Sequence, residues 1–503
     1  MPFIERMKAM KPIKALLHYA IENNLITSLD YDYAFNRLSS LIKMDERYEP
    51  YNANYQTKES VDTLLKPLLD HALSEQLIER DSTQMRDLFE STIMDVLTPL
   101  PSRLQQEFEQ MYQANPQEAT TQFYQRNKVS NYIKTARIAK NDFFKVNSPY
   151  GPIEITINLS KPEKDPKAIM QAQTQKIKYP KCLLCKENIG YYGRADHPGR
   201  TNHRAIRLTL NEDPFYLQYS PYVYYNEHAI VFHRDHIPMN VSKKTFSRLF
   251  DFVDKFPHYF LGSNAGLPIV GGSILSHEHY QGGNAQFPID QAEVFHSETV
   301  DGIMVELLKW PLSVIRLKAK TRRLLIDKAE HLRQYFKTYN NDSLGIVSHT
   351  NDTPHNAITP ILRKDNDEYV LSIALRNNRT NEAYPDGIFH PHPERHHIKK
   401  ENIGLIEVMG LAILPGRLEN DLSEIASFIK EERNDLDGLE IYAPWVNQLV
   451  IENKDNVLST LKQEVGKVFI KGLEDCGLFK QTIQGKDAFK AFIKGWIQCE
   501  SQK

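Results

Sequence analysis

The sequence predicts an α+β fold, duplicated in two halves behind a helical N-terminal region, and three observations predict it. Through residue 145, apolar side chains recur at the three- and four-residue spacing of amphipathic helices. From Gly151 the texture changes to short β-rich runs parted by turn residues and single helices. No βαβ repeat is visible, so antiparallel pairing is expected. An order of strand, long helix and strand then occurs twice, a faint internal duplication carried by element order and not by residue identity.

Taken in order, helices are expected over 14–25, 60–80 and 84–97, with Pro99-Leu100-Pro101-Ser102 as a break. This region shows no catalytic constellation and reads as a helical extension or an oligomer surface. Near its end Arg137 is placed to reach a phosphate, a solvated helix face being the alternative. Strand-rich runs follow at 152–159, 222–232 and 267–275, with a helix at 243–255. The second half starts near Trp310 with an extended run to Leu317. A helix over 321–338 and a strand over 368–376 come next, and the stretch 422–503 is again amphipathic helix. The expected division is therefore 1–145 as the helical region, 146–305 as the catalytic half and 306–503 as the C-terminal half with a helical tail.

Composition bounds the function. The chain has 503 residues, 41% of them hydrophobic and 25% charged, with a formal net charge of −2. That is ordinary for a soluble globular protein and supplies no bulk field for nucleic acid or an anionic membrane. A phosphate-bearing ligand must then be held by local groups. No apolar run approaches the roughly 20 residues of a membrane span. Met1-Pro2-Phe3-Ile4-Glu5-Arg6 lacks the apolar core of a signal peptide. Four cysteines in this length argue against a disulfide framework, so a cytoplasmic protein is expected.

The richest stretch is Gly272-Ser273-Ile274-Leu275-Ser276-His277-Glu278-His279-Tyr280-Gln281-Gly282-Gly283. On an extended strand His277, His279 and Gln281 share one face while Glu278 and Tyr280 take the other. A neutral imidazole is a nucleophile near pH 7, and glycines let backbone N–H groups approach a phosphate. The combination reads as phosphorus chemistry through a covalent histidine. The stretch resembles the active-site strand of the galactose-1-phosphate uridylyltransferases, whose signature is His-x-His-x-Gln after a Gly/Ser loop. They are a branch of the histidine-triad superfamily in which Gln replaces the third histidine. Glu278 stands where the better-known class has proline, which points to the second, bacterial class. The resemblance runs from about Arg137 to His279, and more loosely to Arg417. It implies histidine-triad-like antiparallel sheets with helices.

Cys182-Leu183-Leu184-Cys185 alone admits a redox pair, a zinc half-site or chance. Cys476 and Cys499 are too far apart for a second knuckle. A tetrahedral zinc would need two histidines, and His236 and His277 are candidates. The resemblance implies a zinc held by Cys182, Cys185, His236 and His277, structural because its shell is closed. An empty reduced pair is the alternative. The run from Asp196 through Arg204 looks like a hallmark of the second class. Asn226 and Glu227 occupy the place of an Asn-Asp pair on the uridine ribose. His390-Pro391-His392-Pro393-Glu394-Arg395-His396-His397 suggests a metal tract. Iron is nonetheless not expected. His355 would supply a lone ligand, but the strand that should carry the others, 372–376, has none.

The resemblance further implies uridylyl transfer from UDP-glucose to galactose 1-phosphate. His279 would attack the α-phosphorus and Gln281 would donate to the phosphoryl oxygens. Ser273, Asn264 and N–H groups near Gly271 and Gly272 would assist. A leaving sugar phosphate, with a second pKa of about 6, departs as an anion and needs little protonation. The expected orienting partner of His279 is a backbone carbonyl on its own strand, accepting from Nδ1. Homodimers are expected. The competing readings are a nucleotidyl hydrolase or dinucleotide phosphorylase of the superfamily, and a non-enzymatic zinc or nucleotide-binding module.

Overall fold

The structure is a computed structural model that describes residues 11–160, 179–194, 196–272, 274–449 and 454–501. Its centre is a ten-stranded sheet. β1 (Asp142–Ser148) and β2 (Gly151–Asn158) precede it and belong to a small sheet. Then come β3 (Ile206–Leu210), β4 (Asp213–Tyr219), β5 (Ala229–His233), β6 (Phe260–Gly262) and β7 (His279–Gly283) of the first half. The second half supplies β8 (Val294–Val300), β9 (Ile303–Leu308) and β10 (Val314–Ala319). A two-stranded ribbon, β11 (His349–Thr350) and β12 (Thr353–Pro354), leads to β13 (Asn356–Asp365) and β14 (Glu368–Asn377). β15 (Leu411–Pro415) returns to pair in parallel with β2.

The strand order is β3-β4-β5-β7-β6-β13-β14-β10-β9-β8. Read from either edge, each half is a three-strand meander, a helix, then two strands of which the later inserts beside the meander. The halves meet antiparallel at β6 and β13, with Gly262 opposite Ile361 and Leu261 opposite Leu362. The duplication legible in element order is thus a local dyad of one sheet. The intervening helices, Lys243–Lys255 and Arg322–Lys337, bury Phe246, Leu249, Phe250, Leu325, Ala329 and Phe336. These join Leu261, Tyr280, Leu362 and Ile373 in one core on one sheet face. The other face, with Phe260, Ile361 and Ala374, packs under residues 403–414, β1-β2-β15 and the helix Val457–Cys476. Alternation puts Tyr280 in the first layer, and so sends His279 and Gln281 to the second.

Helices Pro12–Glu22, Tyr31–Ile42, Val61–Ser74 and Thr83–Asp95 share a core of their own. The following pair, Pro101–Ala114 and Pro116–Val129, instead joins the sheet core through Leu104, Phe108 and Phe123. Two expectations change. The strand expected over 267–275 is instead a loop at its described residues, 267–272 and 274–275. Pro268 has no N–H to donate, and a Cβ on Gly271 would stand 2.3 Å from Ala265 O and 2.6 Å from Leu267 O, so the loop folds tightly onto itself. Residues 222–228 are a turn, left-handed at Val223 and Glu227 (φ 38° and 53°), and only Ala229–His233 is strand. Among the described residues no helix is long and apolar enough to cross a membrane.

Candidate active site and metal centre

Strand β7 is held between β5 and β6, with His279 opposite Phe232 and Gln281 opposite both Ile230 and Gly262. His279 is buried, and its Nδ1 lies 2.8 Å from the carbonyl oxygen of His277, two residues back on the same chain. A carbonyl only accepts, so Nδ1 carries the proton and Nε2 the lone pair. Among the described residues none pairs with Nε2. Burial lowers the ring's pKa to about 4, so it stays neutral at working pH. This is the orienting bond expected from the sequence.

The opposite face of the same residues is locked. Arg248, from the helix Lys243–Lys255, donates to Glu278 at 2.5 Å, Tyr280 at 3.2 Å and Asp213 at 2.6 Å. Glu278 and Tyr280 thus point away from His279, as alternation requires. The Arg248 partnership was invisible in sequence because nothing links position 248 to 278 before folding.

Gln281 carries its carboxamide oxygen 3.3 Å from Nε2 of His228, a buried histidine that sequence reading passed over. The turn before it is docked on the end of β7. Tyr225 OH donates to Gly282 O at 3.2 Å and Asn226 Nδ2 to Asn284 O at 3.1 Å. Asn226 is exposed there. Glu227 faces inward instead, its carboxylate accepting from Thr121 at 3.3 Å and from Tyr259. Asn264 is buried and bridges the halves: its Oδ1 accepts from Leu405 N at 2.8 Å, and its amide fills the space beside Gly272. Arg137 forms a two-pronged ion pair with Asp87 at 2.7 and 2.6 Å, which accounts for its guanidinium within the helical region. Ser273 lies outside the described residues.

Cys182, Cys185, His236 and His277 come together, their ligand atoms all within 4.8 Å of one another. The sulfurs are 3.5 Å apart, and the sulfur-to-Nδ1 separations are 3.6 and 3.3 Å from Cys182 and 3.1 and 3.7 Å from Cys185. Metal bonds of about 2.3 Å to sulfur and about 2.0 Å to nitrogen give tetrahedral edges of about 3.3–3.8 Å. The cluster therefore has the shape of a four-coordinate metal site. His277 turns its other nitrogen to His233 O at 2.7 Å, which leaves Nδ1 facing the other three donors. Asn188 donates to the carbonyls of both Cys182 and Cys185 at 2.8 Å, and its oxygen lies 2.5 Å from His197. The 196–204 segment thereby buttresses the knuckle.

The histidines of 390–397 disperse. His392 stacks on Tyr384 at 4.1 Å, His396 reaches Pro391 O at 2.9 Å, and His397 lies against Trp445. His355 bonds Asn378 and Thr350 at 2.9 and 2.8 Å.

Residues 25–238 match the family described as galactose-1-phosphate uridyl transferase, N-terminal domain, and residues 252–441 match its C-terminal domain. The galactose-1-phosphate uridylyltransferase of Halalkalibacterium halodurans is 47% identical over 96% of this chain and 97% of its own. Those of Fusobacterium nucleatum subsp. nucleatum and Bacillus subtilis are each 45% identical over 97% of this chain, and over 99% and 98% of theirs. Both halves of the sheet fall within the matched residues, and so do the oriented histidine, the glutamine beside it and the four metal-shaped donors. On this agreement of sequence along nearly its whole length, the chain belongs to the galactose-1-phosphate uridyl transferase family.

Proposed function

We propose that this protein transfers a uridylyl group from UDP-glucose to galactose 1-phosphate, giving glucose 1-phosphate and UDP-galactose, with His279 as the covalent carrier. The observation that carries the reading is the bond from His279 Nδ1 to His277 O, which leaves Nε2 as a neutral nucleophile in a member of this family. In the first step a bond forms between Nε2 and the α-phosphorus. The bond from that phosphorus to the bridging oxygen breaks, and glucose 1-phosphate leaves with the electron pair. The imidazole then bears positive charge, which the His277 carbonyl stabilises through Nδ1–H. In the second step a phosphate oxygen of galactose 1-phosphate attacks the same phosphorus and Nε2 leaves. The two steps are near mirror images, so one set of phosphoryl donors serves both. Gln281 supplies N–H groups, and the loop around Gly271 and Gly272 supplies backbone donors. Asn226 is the ribose-facing candidate, while Glu227 shapes its turn from inside.

The thiolate and imidazole donors suit zinc, and a closed Cys₂His₂ shell makes it a structural ion that ties the knuckle and the 233–237 turn to the residue two before His279. We read the chain as a helical region up to β1, a catalytic half through β7 and a C-terminal half from β8, boundaries somewhat earlier than the expected 145 and 305 because β1 starts at Asp142 and β8 at Val294. We further read the protein as cytoplasmic and homodimeric.

The test is the intact mass of the protein after mixing with UDP-glucose and no acceptor. The wild type is expected to gain a uridylyl group and to lose it on addition of galactose 1-phosphate, and His279→Ala to gain nothing. Release of UMP without an adduct would instead support a hydrolase.

A further inference from the structure

We infer that His228 is a positioning residue for the transfer: it fixes the carboxamide of Gln281 so that its N–H groups face the reacting phosphoryl. The inference rests on the reaction proposed above and assigns a role to a residue outside the His-x-His-x-Gln signature. His228 is 3% exposed and has two ring nitrogens to satisfy. Nε2 lies 3.3 Å from Gln281 Oε1, and Nδ1 is buried without a partner. A buried orphan N–H is rarer and costlier than an orphan acceptor, so the proton belongs on Nε2, which donates to the glutamine oxygen. With Oε1 committed to that bond, both hydrogens of the Gln281 amide point the other way, toward the face it shares with His279.

The ring itself has little freedom. Tyr225 lies against it with centroids 4.4 Å apart, and Tyr224 flanks it at 5.4 Å. Its backbone N–H donates to Tyr225 O, and its carbonyl accepts from Ser220 N at 2.8 Å. The neighbouring Glu227 is anchored from the far side by Thr121 and Tyr259. Burial also holds the imidazole neutral down to about 4, so the donor does not change character across the working range. An unrestrained glutamine amide would have to turn its nitrogen toward the anionic phosphoryl and be held there as the reaction proceeds. A fixed one presents only donors, and so needs no reorganisation as charge develops on the phosphoryl oxygens.

The experiment is the rate of uridylyl-enzyme formation from UDP-glucose in wild type, His228→Phe, His228→Asn, His228→Gln, Gln281→Ala and the double variant with His228→Phe. His228→Phe is expected to slow uridylylation about tenfold or more with little change in half-saturating UDP-glucose. His228→Gln, whose amide nitrogen reaches about as far as the imidazole Nε2, should restore most of the rate. His228→Asn is too short and should not. In the Gln281→Ala background His228→Phe should add no further loss. Uridylylation within twofold of wild type in His228→Phe, or losses that simply add, would overturn the inference. Should His228→Phe melt early, the Asn and Gln pair decides it alone: equal rates in the two would overturn it. If wild type forms no adduct at all, the transfer reading itself fails.

Discussion

Arg248 sets what the entry to β7 costs to disturb. It and Glu278 are each about 7% exposed in their side chains, with the guanidinium also held by Asp213. Removing one partner of such a pair leaves an uncompensated buried charge, at a cost of about 3–5 kcal/mol. Arg248→Ala should therefore lower the unfolding free energy by roughly that amount in a denaturant titration. A loss under about 1 kcal/mol would show that Glu278 takes up a proton or finds water instead. At this scale the sequence is legible where spacing carries the signal. Period-two alternation exposes His279 and Gln281, and Cys-x-x-Cys exposes the knuckle. It is silent where the signal is a contact. His228 is a lone histidine in a tyrosine-rich turn, and no spacing announces the bonds that the Glu227 carboxylate accepts from Thr121 and Tyr259.

At the level of elements, three short irregular pieces meet at the proposed zinc: the knuckle, the turn after β5 and the entry to β7. Few backbone bonds join them directly, His233 N to Glu278 O at 2.9 Å and Glu278 N to Ile237 O at 2.7 Å among them. A metal would supply the rest of the restraint. The purified protein is expected to carry about one zinc per chain by elemental analysis. Cys185→Ser should lose it, melt at lower temperature and form the uridylyl adduct more slowly. Full metal-free activity with an unchanged melting temperature would show the four donors need no ion. Elements with strong period, such as the helices Lys243–Lys255 and Arg322–Lys337, were legible to within a few residues. The loop at 267–272 was not, because Leu267, Ile269 and Val270 mimic a buried strand while Pro268 and Gly271 forbid one. Strands β3, β4, β8 and β9 escaped notice although each pair is a local hairpin, with Leu210 opposite Asp213 and Val300 opposite Ile303.

Over the whole molecule, the dyad-related sheet needs both faces covered, and the covering buries histidines in neutral form. His197, His228 and His397 are 5%, 3% and 7% exposed, and burial holds each ring's pKa to about 4. In the unfolded chain they return to about 6.5. Between those values the unfolded state binds more protons than the folded one, so stability rises with pH across the window. The contribution is complete above about 6.5 and is lost as pH falls toward 4, by up to about 1.4 kcal/mol per pH unit for each histidine. The three lie apart, His197 behind the knuckle, His228 beside Gln281 and His397 against Trp445 in the second core, so their effects should add. Thermal unfolding followed from pH 8 to pH 4.5 should show a level midpoint down to about 6.5 and a steep decline below it. His397→Gln should make that decline shallower while leaving the uridylylation rate unchanged, since its ring lies against Trp445 and Tyr442. A midpoint that stays level down to pH 5 would mean that these rings are protonated in the folded protein.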